Sequence, residues 1–142
     1  MIAHNTGRIG LGIFYLISCF ANLFHTIHNT QYLWTVCLEN VHLSIYKEFL
    51  VQIVIPNEKL IVFLIVVFEF IVAVLILSKE LFVKIGLLFG IIWVLIITPF
   101  LPWSDILGHL LLGIFQAFLL TGTYDKTLLD ILRSTIRAEE LI

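Results

Sequence analysis

The sequence predicts an all-α integral membrane protein, a four-helix bundle with an outer amphipathic helix between helices one and two. Three observations predict it. Of 142 residues, 61% are hydrophobic and only 13% charged, against roughly 25% charged in soluble domains. The apolar residues fall in four long runs, at 9–27, 60–77, 81–97 and 106–121. Short polar or proline-bearing stretches separate the second run from the third and the third from the fourth. A soluble domain of this length cannot hide so much apolar surface, and mean hydropathy is +1.09.

Each run approaches the ~20 residues that cross a hydrocarbon core of ~30 Å at 1.5 Å per residue. Backbone groups in hydrocarbon must find their partners within the segment, so the runs are helices. The first follows Arg8, as the apolar part of a signal peptide would. It exceeds the usual ~7–15 residues of such a segment, and no small-x-small site closes it. It is read as a retained first helix. Pro56 and Asn57 open the second helix, with Glu58 in its first turn, where a negative charge suits the helix dipole. "SKE" at 78–80 is short enough to make helices two and three antiparallel neighbours. Gly86 and Gly90, four apart on the third, permit close helix approach. "TPFLPWSD" at 98–105 precedes the fourth helix, which Ser104 or Asp105 can cap.

Residues 29–55 differ. "LENVHLSIYKEFLVQIVI" carries Leu38, Val41, Ile45, Phe49 and Ile53 in a near i, i+4 stripe, with Glu39, Lys47 and Glu48 off it. This reads as an amphipathic helix lying on the bundle or in the interface, a depth that suits Tyr32, Trp34 and Tyr46. Residues 1–125 form one transmembrane domain. Residues 126–142 form a cytoplasmic amphipathic tail. Arg8, Lys79, Lys84, Lys126, Arg133 and Arg137 fall on one side of the membrane, and Lys47 and Lys59 on the other. Six against two places both termini in the cytoplasm, in a multi-pass protein of the plasma (inner) membrane.

Glu69 interrupts "LIVVFEFIVAVLIL", whose other thirteen residues are apolar. It lies about eleven residues, or ~16 Å, from the outer start of its helix. A charge near the midplane costs roughly 2.5 to 3.5 kcal/mol on insertion scales. The carboxyl therefore faces the interior, protonated or hydrogen-bonded. Helix one offers a polar stripe containing Tyr15, Ser18, Asn22, His25, Thr26 and Asn29, and helix four offers Asp105, His109 and Gln116. Offsets of three and four put most of each set on one helix face. The two stripes should converge with Glu69, making Glu69, Asn22, His25, His109 and Gln116 the candidate ligand-binding residues. Each also has a plain role available. Glu69 can simply tie helix two to helix one, the histidines can pack or sit at the interface, and Asp105 can cap.

Other chemistries find little support. Cys19 and Cys37 do not form a CxxC pair and read as free buried thiols. A net charge of −2 supplies no basic field for nucleic acid. His25 and His28 at i, i+3, joined by Glu69 or His109, are too few for a metal site of the carboxylate-bundle type. A haem held between His25 and His109 is disfavoured for lack of any further signal. No catalytic triad, glycine-rich phosphate loop or zinc motif appears, so the reading leans away from an enzyme.

"GRIGLGIFYLISCFANL" at 7–23 resembles the first helix of the DoxX-like small membrane proteins, which opens on Arg and continues as a Leu-Gly-x-x-Phe-type helix. "FEFIVAVLILSKELFVKIGLL" at 68–88 is similar to that family's second and third helices, with one Glu, an apolar run and a short basic turn. The resemblance covers about residues 8–120. The chain departs from the pattern in "SCFANLFH" at the end of helix one, and at Ala73, where the family has glycine. The resemblance implies a compact four-helix membrane protein linked to quinone-coupled or other membrane redox processes, with Glu69 in the place of the family's helix-two Glu. It implies an accessory, non-catalytic subunit, with a membrane redox partner or a second copy of the chain as its partner beside the lipid bilayer. The alternative is a redox subunit that binds a quinone-like ligand through Glu69. A small transporter ranks lower, because helix three is too apolar to complete a polar track.

Overall fold

The computed structural model describes residues 2–41 and 43–131. It is helical throughout, with no strand among the described residues. The helices are α1 (Ile2–Phe24), α2 (Thr30–Asn40), α3 (Ser44–Phe49), α4 (Glu58–Leu77), α5 (Leu81–Ile97) and α6 (Trp103–Leu120). Four helical stretches among the described residues are long and apolar enough to cross a membrane: Ala3–His28, Ser44–Leu77, Leu81–Phe100 and Trp103–Leu120. The chain is thus a multi-pass membrane protein. Phe24, Leu95, Leu107 and Ile114 are more than half exposed, as lipid-facing side chains are.

The second span departs from expectation. Pro56 does not open it. α3, a π-helical stretch (Leu50–Val54) and a single 3-10 turn (Ile55–Asn57) run directly into α4, giving 34 continuous residues. At 1.5 Å per residue that is about 51 Å, well beyond a ~30 Å core. Proline lacks an N–H, and its ring clashes with the carbonyl four residues back. The wider turns just before it accommodate both: the Ile55 N–H bonds the carbonyl of Leu50, five residues back.

Residues 29–55 are correspondingly divided between two helices, not one. α2 ends at Val41, which is extended (φ −74°, ψ 120°), and α3 belongs to the second span. The expected stripe divides: Val41 is buried and Leu38 packs beside it. Ile45, Phe49 and Ile53 are exposed, whereas Trp34, Cys37, Leu50 and Val54 are buried. In lipid an apolar side chain gains little by turning inward, so a stripe of apolar residues does not identify the packed side. Neither Ser104 nor Asp105 caps α6. The cap position is Pro102, which places both residues inside the first turn, where the Ser104 hydroxyl donates to Asp105 Oδ1 at 2.9 Å. The Asp105 carboxylate still suits the helix dipole there.

α1 packs along α4, α4 against α5, and α5 against α6. Gly86 permits the α4–α5 approach: a Cβ there would lie 2.8 Å from Leu75 Cβ and 3.0 Å from the Ile76 backbone nitrogen. α1 and α6 meet mainly near the start of α1. There Leu119 and Phe115 lie over Gly7, and His4 stacks on Phe118 at 4.6 Å.

The same end is tied by Arg8, which is fully buried. Its guanidinium donates to the carbonyls of Ile76 (3.2 Å), Ser78 (2.5 Å) and Lys126, and to Asn5 Oδ1 at 3.0 Å. It also lies 5.1 Å from the Tyr124 ring centre. Glu80, at φ 52°, donates its N–H to the Tyr124 carbonyl at 2.6 Å. The start of α1, the α4–α5 turn and the segment after α6 therefore meet at one end, which carries Lys79 and Lys126. Of the expected tail, a helix beginning at residue 128 is seen, and residues 132–142 lie outside the described residues.

Candidate functional site: the cleft between the first and last spans

Away from the Arg8 end, α1 and α6 draw apart around a cavity of about 530 Å³. α1 contributes Tyr15 and Ser18, α4 contributes Glu69, α5 contributes Trp93, and α6 contributes Asp105 and His109. Tyr15 and Ser18 lie three apart on α1, and Asp105 and His109 four apart on α6, so each pair shares a helix face.

Glu69 is only 6% exposed. Asn22 Nδ2 donates to its Oε2 at 2.8 Å, and the Thr26 hydroxyl donates to Asn22 Oδ1 at 2.9 Å. This chain orients one carboxyl oxygen from the α1 side. The Tyr15 hydroxyl donates to Gln116 Oε1 at 3.3 Å. The phenol oxygen keeps its acceptor capacity, because its one proton is committed to Gln116. Gln116 is fully buried and seated on Gly90, where a Cβ would come within 1.9 Å of Oε1. His109 Nδ1 lies 3.1 Å from the Asp105 carbonyl oxygen. A carbonyl only accepts, so Nδ1 carries the proton and Nε2 is left as an acceptor when the ring is neutral.

A carboxyl, a phenol, a hydroxyl, an imidazole and a second carboxylate thus surround one space with an aromatic wall. Such a set can orient a ligand with polar atoms at one end, and can take up or release a proton at Glu69 or His109.

The structure brings together most of the residues singled out in the sequence. Glu69 and His109 line the cavity, Asn22 holds Glu69, and Gln116 reaches the cavity through Tyr15. His25 stands apart. Its N–H still bonds the Ala21 carbonyl at 2.9 Å, but its side chain is exposed and does not line the cavity. His28 is also exposed, and no three His, Cys, Asp or Glu side chains converge as a metal site among the described residues. Trp93 escaped the sequence reading, which treated the third span as having nothing to offer. The run also holds Phe82 and Phe89, so nothing in the sequence sets Trp93 apart.

Fold and site define an all-helical, multi-pass membrane protein with a polar cleft between its first and last spans. Comparison with protein-family models, curated proteins and solved structures returns no match.

Proposed function

We propose that this protein is an accessory subunit of a membrane redox system, and that its α1–α6 cleft takes a quinone-like ligand. In this reading the four spans form a bundle in the plasma (inner) membrane, with both termini cytoplasmic and α2 in the outer interface. The cleft then opens toward the outer half of the bilayer. The observation that carries the reading is the place of Glu69: a buried carboxyl in an apolar span that lines a cavity instead of being packed over. A quinone carbonyl would meet the protonated carboxyl or the His109 ring, and the Trp93 face would lie against the quinone ring. The DoxX-like resemblance supports the redox association. The partner is a second membrane subunit or another copy of the chain.

Titration of the purified chain with a short-chain ubiquinone tests this. Glu69→Ala should weaken binding by about tenfold, the loss of one hydrogen bond, and Glu69→Gln, whose amide N–H can still donate, should weaken it less. Equal binding by the wild type and both variants, with only a lowered unfolding temperature, would leave Glu69 as a structural tie. The Asn22–Glu69 bond favours that second reading, in which the chain is a scaffold subunit without a ligand of its own.

A further inference from the structure

Trp93 also borders a second cavity, of about 390 Å³, enclosed by α2, the start of the second span, α4 and α5. Its walls are aliphatic and aromatic, from residues such as Leu50, Val54, Ile65, Phe68 and Phe100. No charged side chain lines it. Three lining residues bear a polar hydrogen: Cys37 with a weak thiol donor, and Trp34 and Trp93 each with an indole N–H. Trp34 is 94% buried by its 6% exposure, and its Nε1 is buried with no acceptor in the protein.

A buried N–H with no partner is unfavourable, and apolar neighbours cannot relieve it. Indole nitrogens in buried positions ordinarily find an acceptor. The cavity is within the size range of small-molecule sites. The occupant must therefore be mostly hydrocarbon, uncharged where it enters, and equipped with an acceptor for the Trp34 N–H. A lipid acyl ester fits well, with a long chain, a single carbonyl at its polar end, and a headgroup that can stay outside. The surrounding bilayer is such a lipid at high concentration.

We propose that this cavity binds one acyl chain of a membrane lipid, with the ester carbonyl accepting the Trp34 indole N–H. The chain lies against Ile65, Phe68 and Trp93, and joins α2 to the second and third spans. This site shares the Trp93 wall with the α1–α6 cleft, and the rest of its lining is distinct from that cleft's.

The test is lipid retention by the full-length protein in a mild detergent, read by native mass spectrometry. The probes are dioleoyl phosphatidylcholine and its diether analogue, which has the same chains and headgroup but no ester carbonyl. The wild type should hold one diacyl molecule about tenfold more tightly than the diether, a ratio fitting one hydrogen bond. Trp34→Phe should remove that preference by weakening only the diacyl lipid. Ile65→Trp, which fills the cavity, should abolish retention of both. Equal retention of the two lipids by the wild type would overturn the proposal, and that comparison needs no variant to fold. Retention that survives Ile65→Trp, or a diacyl preference that survives Trp34→Phe, would overturn it equally.

Discussion

The side-chain amide of Asn22 donates to Glu69 Oε2 at 2.8 Å, joining α1 to α4, the two helices in most extensive contact. The bond turns a costly mid-span acid into a cross-helix tie. Thr26 steadies it by donating to the amide oxygen. The geometry leaves the carboxyl group both anchored on one side and bordering a cavity on the other, which is what a ligand-binding acid in a membrane requires.

Interhelical hydrogen bonds in membrane proteins average about 0.6 kcal/mol and reach about 1.7. A double-mutant cycle of Asn22→Ala and Glu69→Ala should give a coupling energy in that interval, with each single variant less stable than the wild type. The readout is unfolding free energy in mixed micelles. Additive effects within about 0.3 kcal/mol would mean that the two side chains do not depend on one another.

Gly90 and Gly108 make opposite predictions for the same change. A methyl at Gly90 would collide with Gln116 Oε1 at 1.9 Å and the Tyr15 hydroxyl at 2.7 Å. Gly90→Ala should push Gln116 away, break its bond to Tyr15, and destabilise by about 1–3 kcal/mol, as overpacking does. At Gly108 nothing lies within 4 Å. Gly108→Ala should be neutral, or stabilising by up to about 1 kcal/mol, because alanine is the better helix former. Thermal unfolding of the two variants side by side checks both signs.

Arg8 holds three chain segments at once through the carbonyls of Ile76, Ser78 and Lys126. Arg8→Met keeps the bulk but leaves those acceptors without their donor, at a cost of about 1–3 kcal/mol. Arg8→Lys cannot reproduce the planar fork and should recover only part of the loss. Release of the segment after α6 should also expose the backbone at Lys126. Faster tryptic cleavage there, ahead of global unfolding, is the specific readout. Wild-type cleavage in both variants would show that packing around Tyr124, not Arg8, fixes the segment.

The spans were legible because hydrocarbon imposes one rule on backbone and composition alike. α5 occupies the residues read from the sequence, and α6 begins three residues earlier than expected. The π-helical stretch was not legible, since its cause is a clash avoided around Pro56, and a proline in sequence signals a boundary as readily as a distortion. The stripe of the 29–55 segment was legible only in part, with Val41 buried and Ile45, Phe49 and Ile53 exposed, because apolar stripes point inward reliably only where water lies outside. Within the site, Glu69, Asn22 and His109 were found through one idea, that polar groups in a span must meet. His25 lies on the same span but is exposed and borders no part of the cleft, which spacing alone does not decide. Trp93 and the orphaned indole of Trp34 could not be read, because their significance lies in which spaces they border.

The cleft itself can be tested without touching any of its polar groups. Gly108 belongs to the cavity wall and has open space above it. Gly108→Leu should extend a side chain into that space while meeting no backbone. Its stability should stay within about 0.5 kcal/mol of the wild type, the usual range for substitutions that disturb no packed contact. Affinity for a short-chain ubiquinone should nevertheless fall about tenfold or more, because the volume is occupied. This separates occupancy from chemistry: Glu69→Gln keeps the space and removes the acid, whereas Gly108→Leu keeps the acid and removes the space. Both should weaken the same ligand. If Gly108→Leu binds as well as the wild type, the ligand lies outside this cleft, whatever Glu69→Gln does.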